Sequence, residues 1–133
     1  DAVRLYEMPE RRLLDSALRH GLAVFGGLRW GQGHDFAAHP CLVSAAHVAL
    51  AEGLRESADH PALVGIYVGN EVPADLVRWI GPHEVLAVIE GLIETGRRIA
   101  PGLLFAYANY PGTEWYEKAF KLVEKHAAGV TAS

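Results

Sequence analysis

The chain has 133 residues, 50% of them hydrophobic and 21% charged, with a formal net charge of −4. That length carries one domain-sized core. The acidic balance argues against nucleic acid, whose phosphates need a basic surface, and no apolar run reaches the ~18–20 residues that span a bilayer.

In chain order, strands and helices alternate. Val3–Tyr6 reads as a short strand, and Pro9 sits where the first turn of a helix tolerates it. Leu13, Leu14, Ala17 and Leu18 then fall at helical spacing on one apolar face, and Gly21 closes that helix as a C′ residue. The second strand is Leu22–Leu28, followed by the glycine-rich turn Trp30-Gly31-Gln32-Gly33-His34. A helix from about Pro40 to Ala58 puts Leu42, Val43, Ala46, Leu50 and Leu54 on its inner side, with Gly53 a weak point in it. The third strand, Ala62–Gly69, is an apolar, β-branched run of the kind buried in parallel sheets. After a loop containing Glu71, Gly81-Pro82 opens a helix marked by Val85, Val88, Ile89, Leu92, Ile93 and Ile99, and Pro101-Gly102 ends it. A fourth strand, Leu103–Asn109, leads through Pro111-Gly112-Thr113 into a last helix with Trp115, Ala119, Phe120 and Val123 inward.

Strict βα alternation implies an α/β fold with a parallel sheet and right-handed crossovers. The strands begin near residues 3, 22, 62 and 103, a mean spacing of about 33, close to the ~31 per unit of a ~250-residue (β/α)8 barrel. A doubly wound sheet would also alternate, but its glycine signature needs a third glycine at the strand-to-helix turn. Gly31-Gln32-Gly33 lacks it, and Trp30 and His34 crowd the turn. The expected architecture is therefore a partial (β/α)8 barrel of about four βα units, with residues 1–133 a single segment of it. The chain opens directly on strand-like residues with no signal peptide before them, and both ends read as cuts within a larger domain.

Chemistry-bearing residues collect at the C-terminal ends of the strands, where barrel enzymes place their catalytic groups. The first strand delivers Arg4 and Tyr6, the second Trp30 and Gln32, the third Asn70 and Glu71, and the fourth Asn109 and Tyr110. Aromatic faces, amides, a guanidinium and one carboxylic acid suit a sugar. Rings stack on a pyranose, amides and Arg bridge its hydroxyls, and the acid protonates a glycosidic oxygen. Glu71 in that role must hold its proton near neutral pH, which burial in a cleft beside apolar groups would arrange.

Val68-Gly69-Asn70-Glu71 followed by Pro73 resembles the Asn-Glu motif on the fourth strand of the clan A glycoside hydrolases. More narrowly, the chain resembles the barrel of family 2 (β-galactosidase and β-glucuronidase-like), including the variant attached to bacterial membrane-bound glycosyltransferases. Val3-Arg4-Leu5-Tyr6, Gly27-Leu28-Arg29-Trp30-Gly31-Gln32 and Ala108-Asn109-Tyr110-Pro111-Gly112-Thr113-Glu114-Trp115 fit the same pattern in the same order. The resemblance implies that the strands are the second to fifth of a barrel and that Glu71 is the general acid/base. It also implies that Asn70 contacts the sugar 2-hydroxyl, that Arg4 lies near the nucleophile, and that Trp30, Gln32, Asn109 and Tyr110 line the subsite. The nucleophilic glutamate of those enzymes lies on a seventh strand that this chain lacks, and Glu114 and Glu117 are poor substitutes. Alone, the chain should have little or no turnover.

Plainer readings stand beside these. Glu71 could cap a helix or pair with Arg78, Asn70 could merely take a turn conformation, and Arg4 could face solvent. Trp30 could cap the barrel core, and Trp79 and Trp115 read as packing residues at helix starts. His34, His39 and His47, with Asp35 and Cys41, fall close together but match no metal-ligand spacing, so no metal or other cofactor is expected. His60, His83 and His126 read as structural or solvated, and Ser44, Ser57 and Thr113 lack a neighbouring base. Cys41 is the single cysteine, so no intrachain disulfide can form. The expected partner is a carbohydrate substrate, with no nucleic acid and no membrane contact. The competing function is a non-catalytic glycan-binding or scaffolding half barrel, which could pair with a second copy or with the missing half to close its sheet edges.

Overall fold

A computed structural model describes residues 1–109. It contains β1 (Ala2–Arg4), α1 (Arg11–Arg19), β2 (Ala23–Gly27), α2 (Pro40–Ser57), β3 (Leu63–Asn70), α3 (Ala74–Ile80), α4 (Pro82–Ile99) and β4 (Leu104–Ala108). The expected last helix, with Trp115, Ala119, Phe120 and Val123, lies outside the described residues.

Local chemistry explains most boundaries. At the end of α1, Gly21 takes φ +67. Its N–H donates to the Leu18 carbonyl at 3.1 Å, while the Leu22 N–H reaches the Ala17 carbonyl at 2.9 Å. These two bonds make a Schellman closure that turns the chain into β2. Helix α2 begins with Pro40 in its first turn and runs unbroken through Gly53, which the Met8 side chain covers so closely that a Cβ would meet it at 2.6 Å. Gly81, at φ +105, separates α3 from α4, and Pro82 opens α4 as expected.

Two expectations need correction. The apolar face of α1 is narrower than its spacing suggests: Leu14 and Ala17 are buried, whereas Leu13 and Leu18 are 41% and 49% exposed. The stretch after Glu71 is not all loop, because α3 occupies residues 74–80. At seven residues it is too short to display a helical period, and an exposed Asp75–Arg78 pair at 3.3 Å supports its surface.

The four strands form one sheet in the order β1-β2-β3-β4, every pair parallel. Chain order and spatial order coincide, so the sheet has no point where the order reverses, unlike a doubly wound fold. The fold is α/β with the arrangement of consecutive units of a (β/α)8 barrel.

The core lies between the sheet and its helices. Leu50 and Leu54 of α2, Ile89 and Leu92 of α4, and Val24, Ile66 and Val68 of the strands are almost fully buried, each such side chain contributing about 1.5–3 kcal/mol. His47 of α2 meets Thr95 of α4 across that layer at 2.9 Å. His60 is buried and structural. The Ala62 N–H donates to its Nδ1 at 3.1 Å, which leaves Nε2 to donate to Asp15 at 2.9 Å.

Strand register places Arg4, Phe25, Gly65 and Leu104 side by side in one row across the sheet. Phe25 lies over Gly65, where a Cβ would meet its ring at 2.9 Å. A large residue over a small one is how barrel interiors fill their layers. Leu104 of this row is 49% exposed.

Candidate active site

The C-terminal ends of β1, β2 and β3 bring together most of the singled-out residues. Asn70, the last residue of β3, is fastened at three points. Gln32, in the loop after β2, donates from Nε2 to the Asn70 carbonyl at 2.6 Å and accepts the Asn70 N–H on Oε1 at 2.9 Å. Arg4, closing β1, donates from Nη2 to Asn70 Oδ1 at 2.6 Å. The two N–H donors of the Asn70 side-chain amide make no hydrogen bond among the described residues.

Glycine is needed one residue earlier. A Cβ on Gly69 would meet Gln32 Oε1 at 2.7 Å and the Tyr107 ring at 3.1 Å. The guanidinium of Arg4 is held in turn by aromatic faces, 4.1 Å from the Tyr67 centroid and 5.0 Å from that of Tyr6. Cation–π contact of this kind contributes about 0.5–2 kcal/mol.

Glu71 follows with φ +50, the only non-glycine residue among those described with positive φ. Its N–H donates to the Ala108 carbonyl at 2.8 Å, tying the turn to the end of β4. The next N–H, of Val72, donates to the Tyr107 hydroxyl at 2.8 Å. A glutamate in the left-handed region is strained by about 1–3 kcal/mol, and such residues cluster at functional sites. Its side chain is exposed, not enclosed by a cleft, and makes no hydrogen bond or ion pair among the described residues. Arg78, the suggested partner, donates to Asp75 instead.

Trp30 is half-buried, its indole donating to the Val68 carbonyl at 3.0 Å and its ring packed 5.3 Å from Phe36. Tyr6 is 67% exposed and borders a hollow of about 400 Å³ with Leu5, Met8 and Leu13. Asn109 directly follows β4 and is half-buried. Tyr110 lies outside the described residues, as do Glu114 and Glu117.

Two other carboxylates at this end of the sheet already have partners. Glu7 accepts from Arg29 at 2.7 Å. Asp35 accepts the Ala38 N–H at 3.0 Å on one oxygen and the Trp79 indole N–H at 2.7 Å on the other. These two bonds, the Ala38 N–H foremost, hold the Asp35 carboxyl below its usual range. Asp35 and His47 are therefore committed elsewhere, and no group of three or more His, Cys, Asp or Glu side chains converges among the described residues.

Sequence reasoning missed Tyr67, Tyr107 and the Asp35–Trp79 bond. Tyr67 carried a usable signal, standing two residues from both Gly65 and Gly69 on one face of β3. The Asp35–Trp79 contact joins residues 44 apart, and nothing local announces it.

No protein-family model and no curated protein matches the chain. Among solved structures, the apo form of Bacteroides uniformis β-glucuronidase 3 matches with a TM-score of 0.67 and 19% sequence identity over 99% of this chain. The chain spans 19% of that protein's length. At such identity the likeness speaks for the fold alone: the described strands and helices are arranged like one portion of a β-glucuronidase.

Proposed function

We propose that the chain is part of a carbohydrate-active enzyme of the glycoside hydrolase or transglycosylase type, with Glu71 as general acid/base and Asn70 as a sugar contact. The observation that carries this reading is the Asn70–Glu71 turn. It closes a buried parallel strand, Asn70 is clamped at three points, and a strained Glu71 presents a free carboxyl group where barrel enzymes do their chemistry. The likeness to a portion of a glucuronidase supports the same reading.

In this mechanism Glu71 gives its proton to the glycosidic oxygen as the bond to the anomeric carbon breaks, then accepts one from the incoming hydroxyl. The clamp on Asn70 leaves its amide N–H groups to donate to a sugar hydroxyl. Arg4, Tyr6, Asn109 and Tyr110 complete the subsite, while Trp30 and Gln32 act from beside it by holding β3. A second carboxylate is required, ~5–5.5 Å away for retention or ~6.5–9.5 Å for inversion. The resemblance puts that carboxylate, the nucleophile, on a seventh strand outside these residues, so the 133-residue chain by itself should not turn over glycosides. The chemistry needs no metal or organic cofactor. The sheet edges at β1 and β4 would be completed by further barrel strands or by a second copy.

Assay of the full-length protein against a panel of aryl glycosides tests the reading. Glu71→Gln should lower turnover of glycosides with poor leaving groups by ~10²-fold or more, as expected for loss of a general acid. Unchanged turnover would remove Glu71 from the mechanism. The exposure of Glu71 favours one other reading, a glycan-binding module without catalysis. Glycan binding with no turnover, unaffected by Glu71→Gln, would establish it.

A further inference from the structure

Trp79 is the most exposed large hydrophobic residue among those described, with 77% of its surface open. An indole left in water at the end of a short helix has no packing role, contrary to the sequence expectation. It is nonetheless not loose. Its N–H is bound to Asp35 at 2.7 Å, and Asp35 is itself pinned by the Ala38 N–H.

The two partners come from different connections at the same end of the sheet. Trp79 lies on α3, which directly follows the Glu71 turn, and Asp35 lies in the loop after β2. The neighbouring Phe36 packs on Trp30, whose indole donates to the Val68 carbonyl of β3, two residues before Asn70. Trp79 is thus tied through Asp35 to the loop after β2, and that loop is tied through Trp30 to β3 two residues before Asn70.

A ring that is fixed by its edge and open on its face is pre-organised for stacking, because the entropy of ordering it is already spent. The apolar C–H face of a pyranose is the complementary surface at the mouth of a sugar site. We propose that Trp79, oriented by Asp35, is a stacking platform for a sugar residue bound beyond the one that contacts Asn70. This rests on the carbohydrate reading above and adds an outer subsite to it. Trp79 supplies the contact, and Asp35 is a positioning residue that acts through it.

The test compares wild type, Trp79→Ala and Asp35→Ala in the full-length protein. Binding is read on an array of immobilised oligosaccharides of increasing length, and turnover is read on the corresponding 4-nitrophenyl monoglycosides. Trp79→Ala should weaken binding of oligosaccharides by about fivefold to tenfold, the scale of one aromatic stacking contact. Asp35→Ala should weaken it less, since the ring remains but is no longer held. Both variants should leave monoglycoside turnover unchanged, because neither residue touches the reacting sugar.

Wild-type monoglycoside turnover with oligosaccharide binding untouched by Trp79→Ala would overturn the platform and leave the enzymatic reading standing. Absence of both turnover and glycan binding in the wild type would remove the carbohydrate reading and the platform with it. A large loss of thermal stability in Trp79→Ala, with glycan binding intact, would show that the ring packs against another part of the protein, and would also overturn the proposal.

Discussion

Two side chains, through three bonds, decide what Asn70 can do. Gln32 occupies both its main-chain polar atoms and Arg4 occupies its side-chain oxygen. Replacing Gln32 by Leu strands one half-buried N–H and one carbonyl, which should cost about 1–2 kcal/mol of stability. Gly69→Ala should act through the same contact, since its Cβ would displace Gln32 Oε1. The double variant should therefore cost less than the two single changes added together, in urea unfolding of all four proteins; simple additivity would mean that the two sites are independent. Asp35 offers a titration. Its carboxyl is held below the ordinary value of 3.8 by the Ala38 N–H and then by the Trp79 indole N–H. Lowered in the folded state, it contributes stability above its unfolded pKa, and that contribution is lost as pH falls through the folded value. The contribution is small because the group is exposed. The indole proton resonance of Trp79 should accordingly titrate with a midpoint below 3.8; a midpoint above 3.8 would mean that the bond does not favour the carboxylate.

Two glycines at helix ends and faces show why spacing alone misjudges an element. Gly21 is required by its φ of +67, with no atom near enough to clash with a Cβ. Gly96 is required by contact, because a Cβ there would run into the Phe105 ring where α4 crosses β4. Gly21→Ala should cost about 1 kcal/mol, from backbone strain only. Gly96→Ala should cost more, about 1–3 kcal/mol, from overpacking. Chemical denaturation of the two variants checks the order. A larger Phe105→Leu cavity should rescue the second and not the first. Elements with long periods were legible: α4 begins at the expected Pro82, and β3 ends one residue past its expected limit. Helix α3 was not legible, since two turns give no pattern and Asp75 and Arg78 look like any charged loop.

Over the whole sheet, helices cover one face, while the row carrying Arg4, Phe25, Gly65 and Leu104 contains a strand-end residue half open to water. Edge strand β1 is three residues long and exposed throughout. Short, exposed edge strands limit stray pairing, but among the described residues β1 and β4 each pair on one side only, and a parallel sheet with open edges is a poor stopping point for an α/β fold. The 133-residue chain, prepared alone, should therefore self-associate with rising concentration in size-exclusion chromatography. Elution as a monomer throughout would count against closure by a second copy. Addition of the remainder of a barrel, where the parent supplies one, should suppress the association.

Sequence by itself determined the βα alternation, the parallel sheet and the gathering of Arg4, Trp30, Gln32, Asn70 and Glu71 at strand ends. Each depends on short-range rules: period, turn chemistry, and the fact that a parallel strand can deliver its last residues to one end only. Tertiary structure alone decided which of those side chains hold each other and which stay open to a ligand. Gln32 and Asn70 are 38 residues apart, Arg4 and Asn70 66 apart, and Asp35 and Trp79 44 apart. Contacts of that range follow from strand register and helix packing, and no local pattern of residues encodes them.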